Sequence, residues 1–237
     1  LDFFSRHRED TDIFCLQEIW SAPYEHLQGK DAGGKPIDHS SIMVYGLQEI
    51  SAALPEHVAY FHPHHLDNYG LLMMVHKRHV VHESGEIYVY RHKGYIPEGD
   101  SGNHARNIQF VVVGEGSHKR IVVNFHGLWN GKGKGDSDAR LEQSEKIIRF
   151  LESKNLPTVF LGDFNLLPDT ESLKKIEAYG LRNLIAEFGI TSTRTSLYAK
   201  PERYADYVFV SSDIAVSDFK VLPDEVSDHA PLLIDIE

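Results

Sequence analysis

The chain has 237 residues, 41% of them hydrophobic and 25% charged, with a formal net charge of −11. That acidity argues against a broad basic face gripping long duplex DNA, but fits a small phosphate ester, a short or single-stranded nucleic acid, or a lipid head group. No apolar run approaches the roughly 18–20 residues that span a bilayer, and a single cysteine, Cys15, excludes an internal disulfide and leans towards a reducing, cytoplasmic setting.

Residues 1–10 read as the interior of a helix rather than as a chain start, so a targeting segment upstream stays open. Residues 12–17 form a short buried strand holding Cys15 as a small hydrophobe. Met43, Leu47, Ile50 and Leu54 make a helical stripe over 40–54. Strands are expected at 58–62, 70–76 and 80–90. The stretch "RNIQFVVVGEGSHKRIVVNFHG" is two strands joined at Gly114–Ser117, a hairpin. An amphipathic helix over 137–153, capped by Ser137 or Asp138, leads to the strand "TVFL". A short helix follows at 169–178, capped by Asp169 or Thr170 and stopped by Gly180. Strands near 205–211, 214–222 and 230–236 close the chain. No repeat or linker divides it, and hairpins mixed with βα units predict an α+β fold with two packed sheets in one domain.

Chemistry-bearing residues gather at the ends of these apolar strands. Residues 12–16 run into Gln17 and Glu18, 121–125 into His126, and "VFLG" into Asp163 and Asn165. Asp206 heads the strand "YVFV", and Asp228 and His229 precede the last strand. Taken singly, each is an ordinary turn or solvated residue. Five strand ends repeating the pattern, mostly without an adjacent Lys or Arg, point to convergence. Four carboxylates brought together need a cation or raised pKa values. Oxygen and amide donors without a thiolate cluster favour Mg²⁺ or Mn²⁺ over Zn²⁺. The histidines are then free for proton transfer or for stabilising a phosphoryl oxyanion, a combination suited to metal-assisted cleavage of a phosphate ester.

Six ordered segments, "DIFCLQE", "ARNIQF", "VNFHG", "FLGDFN", "ADYVFVS" and "VSDHAPL", make the chain resemble the endonuclease/exonuclease/phosphatase superfamily over nearly its whole length. The resemblance implies a four-layer αββα sandwich with its site at the sheet edges. It implies Glu18 as metal ligand with Asp228, Asp163 and Asn165 orienting the attacking water and contacting phosphate, and Asp228 polarising His229. Asp206 would orient a catalytic histidine and His126 would stabilise the transition state or protonate the leaving group. Arg106 and Asn68 would be phosphate contacts. The family pattern also begins with a strand that this chain would lack, upstream of residue 1. His126 resembles deoxyribonuclease I, sphingomyelinases and deadenylases more than abasic-site endonucleases, which carry tyrosine there.

The expected activity is therefore a divalent-metal-dependent phosphodiesterase acting on a nucleic acid or another phosphodiester. Alternatives are a sphingomyelinase- or phosphoinositide-type lipid phosphoesterase, or a non-catalytic binding relative; nothing in the sequence marks a protein partner. Trp129, Lys132 and Lys134 lie on a Gly-rich loop after His126, placed either to meet substrate or simply to be solvated. The loop 91–106 is either a second wall of the cleft or a surface excursion. His57, His62, His64 and His65 suggest zinc, but lack a cysteine partner and helical spacing; entry of His64 or His65 into the cleft is the stronger reading.

Overall fold

The computed structural model describes residues 1–22, 43–97 and 103–237. A six-stranded sheet contains β4 (Val81–Tyr90), β5 (Arg106–Val113), β6 (Arg120–His126), β7 (Thr158–Asp163), β9 (Asp206–Ser211) and β8 (Leu181–Asn183), in the spatial order β4-β5-β6-β7-β9-β8. All its neighbours are antiparallel except β6 and β7. Those two run parallel because helix α3 (Asp138–Lys154) carries the chain back between them, the crossover that parallel pairing requires. A second sheet holds β1 (Ile13–Trp20), β3 (Tyr69–His76) and β2 (His57–His65) in the order β1-β3-β2. The strands β10 (Val216–Val221) and β11 (Leu232–Ile236) form a ribbon.

Period-two alternation decides how the layers stack. On β3, Met73 and Val75 join the core against the six-stranded sheet. Their neighbours Leu72 and Met74 face the other way, onto Phe14 of β1 and onto Ile50 and Leu54 at helix α2 (Gly46–Ala53). On the far side, Ile147 and Leu151 of α3 and Leu173 and Ile176 of α4 (Glu171–Ala178) cover the six-stranded sheet. The result is the expected order of helix, sheet, sheet and helix. Helix α1 (Asp2–His7) begins the chain, and Phe3 and Phe4 pack against the α2 layer.

The inner space between the sheets is not wholly apolar. Asn124 of β6, fully buried, accepts from Gln17 Nε2 at 2.6 Å and donates to Leu16 O at 3.0 Å. Gln109 of β5 donates to Tyr60 O at 2.6 Å and meets His62 at 2.9 Å. Because each buried amide finds partners on the opposite sheet, these bonds fix the register of one sheet on the other.

Most predicted elements lie within a few residues of the observed ones. The helical stripe begins later than expected, with α2 starting at Gly46, although Met43 still packs against that layer; residues 40–42 lie outside the described residues. The three-residue β8 and the four-residue α5 (Leu184–Glu187) are too short to show a period. Helix α3 is capped by Ser137, whose side chain accepts from Arg140 N. The cap of α4 comes from elsewhere: Thr170 makes no side-chain cap bond, and Asp136 accepts from Glu171 N at 2.7 Å and Ser172 N at 3.0 Å.

Candidate active site

The ends of β6 and β7 are forced together by two glycines. A Cβ on Gly162, at φ +139°, would sit 2.0 Å from Phe125 O, and one on Gly127 would sit 2.2 Å from Phe164 O. Only glycine tolerates that approach, and it sets His126 opposite Asp163 in the parallel register. Asp206 opens β9 directly opposite Asp163 on the other side. Three functional side chains thus share one row across the sheet.

Two further residues arrive with strained backbones. Glu18 lies in the bulge between Leu16 and Ile19 of β1 at φ +60°, and Asn165 lies two residues beyond β7 at φ +54°. Left-handed conformation in a non-glycine residue costs about 1–3 kcal/mol and persists where the surroundings impose it. Asn165 is held by its own N–H donating to Asp163 Oδ1 at 2.8 Å, while its side-chain amide donates to Gly127 O at 3.3 Å.

At the centre, His229 Nδ1 lies 2.8 and 2.9 Å from the two Asp206 oxygens, and its Nε2 is 3.7 Å from Asp163 Oδ2. His126 Nε2 is 3.9 Å from the same Asp163 oxygen and 3.6 Å from Glu18 Oε1. Asp163, Asp206 and His126 are buried, whereas the Glu18 carboxylate is open to solvent. Burial works against the charged form of His229, but Asp206 and Asp163 outweigh it and push its pKa up to about 9. Burial, reinforced by Asp206, drives Asp163 up to about 6 against the pull of His229 and Arg194. His126 is held well below the ordinary histidine value by burial and by Arg106, His64 and His229. One histidine is therefore a cation and the other a neutral ring at pH 7.

Asp163, Asp206 and His229 can offer ligand atoms within 4.8 Å of one another. Asp206 on Nδ1 is the kind of partner that orients a ligating imidazole through Nε2, but Asp206 and Asp163 favour the imidazolium, so His229 would have to give up its proton to ligate. The open Glu18 carboxylate and Asp163, which both face His126 Nε2, are the oxygen donors that suit a hard cation.

Two sequence expectations need correction. The ring nitrogen Nδ1 of His229 is taken by Asp206 and not by Asp228. Asp228 Oδ2 instead accepts from Arg194 Nη1 at 2.9 Å. Lys134 is not a solvated loop lysine; it is buried, donates from Nζ to Tyr204 O at 2.9 Å, and its backbone O accepts from Leu167 N. Trp129 is half-buried, with Lys200 Nζ 5.5 Å from its ring, and Lys132 is exposed.

Arg106 is buried, with Nε donating to Gly127 O at 2.9 Å and Nη1 on His104. Asn68 sits in the turn before β3, half-buried, its backbone O accepting from Ser21 N. His64 stacks on His104 at 5.2 Å and meets His126 edge-on at 5.9 Å; His65 stacks on His104 at 4.6 Å. These rings form a neutral wall behind His126, since burial and Arg106 lower the pKa of all three. His57 bonds Thr11 O instead, away from the wall. No zinc grouping of these histidines occurs among the described residues. Of the loop 91–106, residues 98–102 lie outside the described residues.

The sequence reading missed Arg194, Thr193 and Tyr69. Thr193 Oγ1 accepts from Ala205 N at 3.2 Å and Asp206 N at 3.3 Å, fixing the start of β9. Tyr69 places its buried phenol against Glu18. "TSTRTS" has no apolar period, so nothing in the sequence ties it to a strand end.

Solved structures share this fold. An endonuclease/exonuclease/phosphatase from Bacteroides vulgatus superposes with TM-score 0.71 at 17% identity, over 100% of this chain and 88% of that one. The mannosyl-6-phosphatase Bt3783 of Bacteroides thetaiotaomicron gives 0.70 at 18%, over 99% and 90%. D. rerio TDP2 complexed with single strand DNA product gives 0.65 at 15%, over 100% and 93%. No curated protein sequence matches the chain. The model of the Endonuclease/Exonuclease/phosphatase family matches residues 1–229, and the chain belongs to that family, one of hydrolytic phosphoesterases.

Proposed function

We propose that the protein is a divalent-metal-dependent phosphodiesterase that cleaves its substrate by in-line attack of water. The observation that carries this reading is the charge chain Asp206–His229–Asp163, with His126 Nε2 lying between the same Asp163 oxygen and the open Glu18 carboxylate. A divalent cation, Mg²⁺ or Mn²⁺, held by Glu18 beside Asp163 would supply neutralisation of charge on the phosphoryl oxygens.

The remaining chemistry belongs to the protein. Asp163, ionised above about pH 6, accepts the proton of the attacking water, and Asn165, locked beside it, orients that water or a phosphoryl oxygen. His229, kept protonated by Asp206, donates from Nε2 to a phosphoryl oxygen as charge builds. The neutral His126 ring can hydrogen-bond the leaving oxygen through Nε2–H, the proton that oxygen finally takes coming from solvent. Arg106 adds fixed positive charge behind the site, and Asn68 borders it. Asp228 supports the site through Arg194.

The net charge of −11 favours a short or single-stranded nucleic acid, or another small phosphodiester, over duplex DNA. The test is a panel of single- and double-stranded DNA, RNA, sphingomyelin, inositol phosphates and a sugar phosphate, each with Mg²⁺ or Mn²⁺. Metal-dependent turnover of a diester is expected, and turnover of monoesters alone would overturn the diesterase reading.

A further inference from the structure

Arg194 lies outside every segment that carries the family resemblance, yet its surroundings are those of a built site. Its side chain is 3% exposed while that of its partner Asp228 is 45% exposed, so the ion pair has a buried cation and an open anion. The guanidinium carbon lies 4.0 Å from the Tyr198 ring centroid, and Lys134 Nζ lies 5.3 Å from the same ring. A planar cation stacked on an aromatic face with one edge on a carboxylate has its position fixed twice over.

The backbone adds a third constraint. Arg194 and His229 form an antiparallel bridge. Ala230 N donates to Thr193 O at 3.0 Å and Thr195 N to Asp228 O at 3.2 Å. Thr195 Oγ1 donates to Ser227 O at 2.6 Å. The segment bearing Arg194 is thus zipped to the turn bearing Asp228 and His229. A carboxylate that already accepts from a fixed, buried guanidinium has half its charge spoken for, and giving it to a cation as well would set two positive centres against one another across Asp228.

We propose that Arg194 is a positioning residue that reserves Asp228, so that the divalent cation is held on the Glu18 side of the site and Asp228 steadies the His229 turn without ligating metal. This rests on the metal-dependent reading above and departs from the expectation that Asp228 binds metal.

The test is a titration of Mg²⁺ and Mn²⁺ into the wild type, Asp228→Asn, Arg194→Gln and Arg194→Lys, followed by calorimetry and thermal shift, with kcat and KM measured separately. Asp228→Asn should leave the metal Kd within twofold while kcat falls about tenfold. Arg194→Gln frees an uncompensated carboxylate, so its metal Kd should fall several-fold while kcat also drops. Arg194→Lys, keeping charge but not the fork, should restore the wild-type Kd and only part of kcat. A purely structural role would lower thermal stability without tightening metal binding, and that result would overturn the proposal. A tenfold weaker Kd in Asp228→Asn would overturn it too, whether or not Arg194→Gln folds. A wild type that binds neither cation would overturn the metal-dependent reading together with this one; weakening confined to Asp228→Asn overturns this one alone.

Discussion

Replacing Asp206 by Asn separates charge from geometry at His229. The amide oxygen can still accept from Nδ1, so the ring stays oriented, but the charge that holds its proton is gone. In the wild type Asp206, joined by Asp163, lifts His229 against burial from the ordinary 6.5 to about 9, a preference for imidazolium of about 3 kcal/mol. With the side chain 30% exposed, solvent screening brings this to about 2 kcal/mol. A folded pKa above the unfolded one stabilises fully below about pH 6.5, and that stabilisation is lost as pH rises through about 9. Wild-type stability should therefore decline between these pH values, whereas Asp206→Asn, left with Asp163 alone, should be less stable at pH 6 by up to about 2 kcal/mol and decline less across the window. Activity follows the same proton. The alkaline limb of kcat/KM on bis-(p-nitrophenyl) phosphate should fall near pH 9 in the wild type and about two pH values lower in the variant. An unmoved alkaline limb would refute the argument that Asp206 sets the charge of His229.

Other outcomes follow from the same geometry. The acid limb of the wild-type profile should lie near pH 6, where Asp163 takes up its proton, and should move to lower pH with rising Mn²⁺ if the cation sits beside it. Glu18→Gln should weaken metal binding at least tenfold by calorimetry while leaving the melting temperature without metal unchanged, because its carboxylate is largely exposed. Gly162→Ala should cost about 2 kcal/mol or more in chemical denaturation, since its methyl would meet Phe125 O. Asp136→Ala removes the cap of α4 and should cost about 1 kcal/mol, with kcat unchanged.

Elements with a strong period were legible: β5 and β6 around their Gly-marked turn, α3 behind Ser137, and β7 ending in Asp163. Their apolar faces alone determine where they lie. The convergence of Glu18, His126, Asp163, Asp206 and His229 was also legible, because polar residues at apolar strand ends have few other places to go. The partnerships within that cluster were not. Asp228 adjoins His229 in sequence, yet its carboxylate goes to Arg194 and the ring goes to Asp206, 23 residues away. Arg194 was invisible because its place depends on a bridge to His229 across an irregular loop. Lys134 reads as a loop lysine among glycines, and only the carbonyl of Tyr204, 70 residues on, draws it inside.

The claim that Asp163 activates water for attack on phosphorus is tested most directly by hydrolysing a phosphodiester in ¹⁸O-water under single-turnover conditions and reading the product by mass spectrometry. One ¹⁸O in the phosphoryl product is expected from the wild type with Mg²⁺ or Mn²⁺, at a rate about 10²–10⁴-fold above that of Asp163→Asn. Label in the alcohol product, or equal rates in the two proteins, would contradict the account.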